Sequence, residues 1–296
     1  MSRTPRTARR LFERFEPVHA VTYFTPEARS AFEAVGFRGF WMAYFAARSA
    51  PLGNVPAPLV TAVFYNFAPT HVARALPDAW RFGSPAEALQ ARQTSAVAAL
   101  NRCGITADDA TATAARLLEQ AARNAPLDGR SLFAANLALP WPEEPVAKLW
   151  HAATLLREQR GDGHVALLVG AGIGGRESNV LHCAADRVPR EFIVRSRQYD
   201  DVEWQACVER LVERGLLDEK SEALTPEGAA LKQQLEEQTD RLALAAFAAL
   251  DDDDLELLFR TLTPLTRKVL AGGDIPVATP MGLSRDDLAD DEAHVR

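Results

Sequence analysis

The chain has 296 residues, of which 47% are hydrophobic and 25% charged, a balance typical of a globular protein with a substantial core. Its net charge of -7 disfavours a general affinity for nucleic acid, and no apolar run reaches the roughly 18 residues that a membrane span needs. Three widely spaced cysteines form no CxxC pair, which argues against a disulfide framework and a structural zinc site. We expect a cytoplasmic protein, because the basic N-terminal segment lacks the apolar run of a signal peptide.

Helical periodicity dominates the first half of the chain, where apolar residues recur at three- and four-residue spacing. Thr25-Pro26-Glu27 is typical of a helix start, since a hydroxyl can cap the helix and proline suits its first position. The third predicted helix is apolar nearly all round, which indicates burial. The helices predicted here cover 8–15, 26–34, 37–47, 85–101 and 107–124.

A stretch with three prolines and Gly129, residues 125–144, is predicted to link two halves. In the second half, a helix over 145–159 is expected to break at Arg160-Gly161-Asp162-Gly163. Further helices are predicted over 164–169, 180–185, 189–197, 201–214 and 225–245, and a last one after the acidic run that starts at 251. The predicted organisation is an aromatic-rich domain over 1–140, a second domain over 141–275 and a polar, loosely packed tail over 276–296.

Residues 189–270 carry a specific order of signals: two helices around a turn at Tyr199-Asp200, then Arg214-Gly215-Leu216, a polar hairpin and Leu224-Thr225-Pro226-Glu227-Gly228. This order resembles the helix-turn-helix, wing and closing helix of MarR-type winged-helix proteins. The whole chain also resembles an uncharacterised actinobacterial family of helix-turn-helix or MarR-like proteins, through segments such as GFRGFWMAYFAARSAPLG and LWHAATLLREQRGDGH. The resemblance implies a mainly α fold with small β wings.

The region that would read DNA is acidic in this chain. Residues 200–222 contain eight acidic side chains against three basic ones, and the first turns of the recognition helix carry Asp201, Glu203 and Trp204. Carboxylates in this position repel phosphates, although Glu or Asp can accept a hydrogen bond from cytosine. DNA is therefore a disfavoured partner, and a winged helix kept as scaffold is the preferred interpretation.

The first half can be aligned with the second as a diverged copy. A shift of 138 residues places Leu11 on Leu149 and Gly36 on Gly174, and residues 97–104 can be laid over 208–215. The alternative is chance alignment of alanine-rich helices. A true duplication predicts tandem winged-helix units that imitate, within one chain, the two-fold dimer of MarR-type proteins.

Aromatic residues are concentrated before Gly83, where fifteen of the 23 lie, among polar side chains that a plain core would not favour. Apolar walls with a few converging polar groups are typical of a small-molecule pocket, while an aromatic core is the alternative. Arg38, Trp41, Phe45 and Arg48 share one helix face, and an arginine there could pair either a ligand carboxylate or a neighbouring glutamate. The predicted ligand-binding residues are Tyr23, Arg38, Trp41, Tyr44, Phe45, Arg48, Tyr65, Asn66 and His71.

Catalytic residues are not identified by any motif, and His19, His164 and Asp162 are the candidates. Asp162 could orient His164 on a glycine-rich turn, or it could cap the helix that starts there. The glycine-rich run 170–175 lacks the spacing and the βαβ context of a dinucleotide loop, and no histidine pair has metal-ligand spacing, so no cofactor or metal is expected.

Three functions remain open from the sequence. The preferred one is a sensor or binding protein for a small aromatic or apolar organic ligand. The second is a transcriptional regulator that contacts DNA through the basic N-terminus (Arg3, Arg6, Arg9, Arg10) or through the Arg190, Arg195, Arg197 face. The third is an enzyme on a repurposed winged-helix scaffold, with His19 or His164 in acid-base roles.

Overall fold

A computed structural model describes residues 3–276, 283 and 285–295, and these contain fourteen α-helices. The mainly α fold class is confirmed. The first-half helices are α1 (Pro5–Phe24), α2 (Pro26–Val35), α3 (Gly39–Ser49), α4 (Ala57–Phe64), α5 (Pro69–Ala73), α6 (Pro85–Arg102), α7 (Asp109–Asn124) and α8 (Ser131–Leu137). Those of the second half are α9 (Pro145–Gly170), α10 (Gly175–Ala184), α11 (Arg190–Arg197), α12 (Asp201–Glu213), α13 (Pro226–Leu244) and α14 (Asp252–Ala271).

The helix starts that were predicted from capping chemistry are present. The Thr25 side chain accepts a hydrogen bond from Ala28 N, and Thr225 accepts one from Gly228 N. Asp251 caps α14 in the same way through Asp254 N. Gly215 follows α12 with a φ of 70°, the left-handed conformation expected of a glycine at that end.

The predicted break at residues 160–163 is wrong, because α9 continues through both glycines to Gly170. Each helical glycine costs about 1 kcal/mol relative to alanine, but tertiary packing can exceed that cost. Packing surrounds α9, which contacts α1, α6, α7, α8 and α13. The predicted linker likewise contains a short helix, α8, which packs on α9.

The predicted β wings are not found as strands in the described part of the chain. At the predicted wing of the second half, Leu217 and Leu224 form one isolated antiparallel bridge. Asp218 follows this pair directly and accepts hydrogen bonds from Lys220 N and Ser221 N, which closes the turn of the hairpin. The two segments, all of whose residues are described, therefore form no further β-bridge on that side of the pair. At the corresponding place in the first half, only residues 103–108 separate α6 from α7, without a bridge among them.

The largest core contains residues from both halves. Leu11 and Phe15 of α1 lie in it together with Trp150 of α9 and Phe259 of α14. Helix α1 packs on α9, α13 and α14, while α9 packs on α7. The two halves therefore share their main core, and the boundary near residue 140 stays a prediction about sequence organisation.

The end of the chain packs more closely than the expected loose tail. Arg10 forms ion pairs with Asp287 and Asp290, the latter at 2.7 Å, and its side chain is 6% exposed. Leu288 and Val295 are buried. Residues 277–282, 284 and 296 of the predicted tail lie outside the described residues.

Candidate ligand-binding site

A cavity of about 1140 Å³ lies between the two halves. Helices α1 and α3 and the segment 63–67 line it from the first half, and α9, α10, α11 and α13 line it from the second. Sites for drug-sized ligands usually measure about 300–1,000 Å³, so this volume is ample for a small organic molecule.

One wall of the cavity is aromatic and is built mainly by α3. Phe40 contacts Trp41 edge-on with ring centroids 4.9 Å apart and stacks on Tyr44 at 6.0 Å. Tyr23 of α1 lies 5.2 Å from Tyr44. Phe40 remains 51% exposed although it belongs to an apolar helix, because its ring faces the cavity instead of the core. Such an exposed ring offers apolar surface to a ligand.

The turn after α4 brings two polar residues to the cavity and connects the halves. Tyr65 has a φ of 58° and donates its hydroxyl hydrogen bond to Ile173 O, across to the second half. Asn66 O accepts from Asn179 Nδ2 at 2.9 Å. Gly175 allows this approach, because a Cβ there would lie 1.9 Å from Tyr65 O.

A buried charge network lies beside the aromatic wall. Arg48 binds Glu158 through two hydrogen bonds of 3.1 and 3.0 Å, and Arg157 Nη1 donates to the same carboxylate at 2.8 Å. Burial alone would raise the pKa of Glu158, but the charges of Arg157 and Arg48 hold it well below its usual value. Of the two partners that the sequence allows for Arg48, a ligand carboxylate or a neighbouring glutamate, the structure shows the glutamate.

Glu16 is the other carboxyl of this network. It is fully buried, Arg157 Nε lies 3.5 Å from its Oε1, and neither oxygen accepts a hydrogen bond from the described residues. Burial raises the pKa of Glu16 to about 7. No local pattern singles out Glu16 or Glu158, because the environment of each carboxyl group depends on helices that are distant in the chain.

Six of the nine predicted ligand-binding residues line the cavity and three do not. Phe45 packs in the first-half core, 5.0 Å from Phe67 and 5.1 Å from His71, which is also buried there. Arg38 lies over the Phe82 ring, away from the cavity. The six that line it are Tyr23, Trp41, Tyr44, Arg48, Tyr65 and Asn66.

The three catalytic candidates are not brought together by any hydrogen bond or ion pair that joins two of them. His19 is buried between Thr154 Oγ1 and Tyr23 Oη, at 2.9 and 3.0 Å, and burial lowers its pKa well below the usual value. His164 contacts Thr239 Oγ1 at 2.8 Å, and burial lowers its pKa to about 4.

Asp162 has a structural role in the fold. Its Oδ2 accepts from Phe133 N at 2.9 Å, at the third residue of α8, so it caps that helix from a distance. Burial raises the pKa of Asp162 to about 6. The cap therefore serves α8, and the expected helix start at His164 does not exist because α9 is continuous.

The helix that would read DNA exposes few cations. On α12, Asp201 and Val202 are exposed, Trp204 is buried, and Glu203 pairs with Arg176. Arg210 pairs with Glu177. The outward surface of α12 therefore keeps the acidic character that the sequence predicted.

Most arginines proposed for DNA contact are engaged by carboxylates or buried. Arg3 pairs with Asp252, and Arg9 pairs with Glu236 and Asp240. On the other proposed face, Arg190 pairs with Glu222 at 3.3 Å, and Arg197 is buried at the cavity.

No helix in the described part of the chain is long and apolar enough to cross a membrane. Among the same residues, no group of three or more His, Cys, Asp or Glu side chains is placed to hold a metal ion.

The fold and the site define a mainly α-helical protein with a cavity between its halves. The profile of a family described as the helix-turn-helix family matches residues 8–276. The chain therefore belongs to this helix-turn-helix family. No curated protein and no solved structure gives a significant match.

Proposed function

We propose that this protein binds a small, largely aromatic organic molecule in the cavity between its halves and acts as a cytoplasmic sensor or binding protein. The observation that carries the proposal is the cavity of about 1140 Å³ with an aromatic wall on one side. Ring stacking on Phe40, Trp41 and Tyr44 would provide most of the affinity, since aromatic pairs contribute beyond their buried area.

The scaffold in this proposal is a tandem pair of MarR-like units within one chain. Helix α1 of the first half packs on α13 of the second, and α9 of the second packs on α7 of the first. Reciprocal contacts of this kind are those of a two-fold interface. Under the duplication, α1 corresponds to α9 and α7 to α13, so the cavity occupies the position between the paired units.

A DNA-binding regulator is the second candidate, and family membership is the observation that favours it. The acidic surface of α12 opposes it, because the phosphate backbone supplies most of the affinity in such complexes. A gel-shift experiment with the region upstream of the protein's own coding sequence, at low and moderate salt, separates the two. A shift that weakens steeply with salt would support the regulator.

The test of ligand binding uses the neutral fluorescent probe N-phenyl-1-naphthylamine. We expect the wild-type protein to enhance its fluorescence saturably and Phe40→Ala to weaken binding about tenfold, the loss expected for one stacked ring. Leu127→Ala is the matched control, since Leu127 is 52% exposed against 51% for Phe40 and does not line the cavity. Equal affinity of all three proteins, or no saturable binding, would refute the proposal.

A further inference from the structure

Arg197, the last residue of α11, differs from the other buried arginines. It is 8% exposed, and it lines the cavity. Its Nε is buried without a hydrogen-bond partner, and its Nη1 reaches only the hydroxyl of its neighbour Ser196, at 3.4 Å. No ion pair joins Arg197 to a carboxylate in the described part of the chain.

Arg197 is the buried arginine with the weakest hydrogen-bond acceptors. Each of the other six donates to a carboxylate, a backbone carbonyl or a side-chain amide oxygen within 3.3 Å. These six are Arg10, Arg14, Arg48, Arg92, Arg130 and Arg160. A buried guanidinium without such acceptors has lost hydration that nothing in the protein replaces fully.

Aromatic rings partly surround Arg197. Its Cζ lies 4.3 Å from the centroid of the Phe67 ring and 5.9 Å from that of Trp41. A ring face attracts a guanidinium, but less strongly than a carboxylate does, and it leaves the N–H donors at the guanidinium edge available. The contact with Phe67 therefore orients the guanidinium group of Arg197 without providing acceptors for its N–H donors.

The other arginines near the aromatic wall have carboxylate partners. Arg48 and Arg157 pair with Glu158 at 3.0 and 2.8 Å, and Arg157 also lies 3.5 Å from Glu16. At the other end of the cavity, the carboxylates of Glu236 and Asp240 pair with Arg9 and Arg160. One cation near the aromatic wall is thus left without its counter-charge.

We infer that Arg197 binds the anionic group of the ligand, and that the ligand is an aromatic molecule with one oxyanion, a carboxylate or a sulfonate. This inference rests on the proposed function and specifies its ligand class. The guanidinium fork presents two parallel donors that match such an oxyanion, while Trp41 and Phe67 beside it contact the ring system.

The test compares two probes that share their ring systems, 8-anilinonaphthalene-1-sulfonate and the neutral N-phenyl-1-naphthylamine. We expect Arg197→Gln to weaken sulfonate binding at least tenfold and to change binding of the neutral probe less than twofold. Arg197→Lys keeps the positive charge but loses the two parallel donors of the guanidinium group. Its affinity for the sulfonate should therefore lie between that of the wild type and that of Arg197→Gln. It also serves as the second variant if Arg197→Gln does not fold.

The matched control is Arg38→Gln. Arg38 also lies 4.3 Å from a phenylalanine centroid, that of Phe82, but it is exposed and outside the cavity. This variant should bind both probes as the wild type does. If both Arg197 variants bind the sulfonate with wild-type affinity while the neutral probe still depends on Phe40, the cavity binds rings and the inference about the anion is wrong. If neither probe depends on Phe40, the proposed function itself fails.

Discussion

Glu16 shows how strongly the surroundings of one side chain can depend on distant parts of the chain. Its carboxyl group is fully buried on α1, and its nearest cation, Arg157, belongs to α9. Arg157 is shared, because it also donates to Glu158. Burial therefore dominates at Glu16 and raises its pKa to about 7, from a usual value of 4.5.

The raised pKa of Glu16 predicts a pH-dependent penalty on stability. The folded protein holds this proton more tightly than the unfolded chain, so the free energy of unfolding falls as the pH rises from about 4.5 to about 7. Glu16→Gln keeps the shape of the protonated form and removes the titration. We expect the variant to gain stability over the wild type as pH rises through this window, by an amount on the order of 3 kcal/mol.

Urea denaturation of both proteins at several pH values between 4.5 and 8 measures this difference. The comparison with the variant is needed because burial lowers the pKa of His164 and His151 to about 4, which makes wild-type stability rise with pH over part of the same range. Glu33→Gln, on the exposed surface of α2, is the control and should follow the wild-type curve. A constant difference between Glu16→Gln and the wild type would contradict the prediction.

At the scale of the element, α9 and α10 use glycine for different reasons. In α9, a Cβ on Gly161 would lie 3.9 Å from the nearest side-chain atoms, Arg157 Nη1 and Glu158 Oε2, which is ordinary contact. In α10, a Cβ on Gly175 would lie 1.9 Å from Tyr65 O, a backbone atom that cannot move away cheaply. The first glycine is tolerated by the fold, and the second is required.

Alanine at the two positions should therefore have opposite effects. Gly161→Ala should stabilise the protein by about 0.5–1 kcal/mol, because alanine favours the helix and restricts the unfolded chain. Gly175→Ala should destabilise it by about 1–3 kcal/mol through overpacking against Tyr65. Chemical denaturation measures both, and a destabilising Gly161→Ala would show that α9 needs glycine for a reason beyond contact.

The helices of this chain could be predicted where their signals are local. Caps such as Thr25, Thr225 and Asp251 act within three residues, and the predicted starts agree with the structure. The short helices α4, α5 and α8 were missed because five to eight residues carry little periodicity. Glycine propensity predicts a break in α9, but packing on five neighbouring helices overrides that propensity and keeps the helix continuous.

The candidate site was predictable on the same terms. Helical spacing places Arg38, Trp41, Phe45 and Arg48 on one face of α3, and of these Trp41 and Arg48 line the cavity. Arg48 and Glu158 are 110 residues apart in the chain, so no local pattern could pair them. The sequence places Arg197 on a possible DNA-binding face. Its burial against Phe67 has no local signal, because that contact depends on how the halves meet.

At the scale of the whole molecule, the halves are held together by helices that belong to more than one core. Helix α9 contributes Trp150 to the main core and Leu168 to a second core around α10–α12. Helix α1, from the first half, packs on α13 and α14 of the second. Because these helices are continuous, the loss of one core removes the support of the next.

This arrangement predicts a single cooperative unfolding transition. Far-ultraviolet circular dichroism and tryptophan fluorescence should give coincident denaturation curves, the usual sign of two-state behaviour. Leu11→Ala, in the main core, should lower the free energy of unfolding by about 2–5 kcal/mol and shift both curves equally. Leu127→Ala, at an exposed position, should change it by less than about 0.5 kcal/mol. Two separated transitions, with only one of them shifted by Leu11→Ala, would mean that the halves fold as independent domains and that the cavity between them is held by a weak interface.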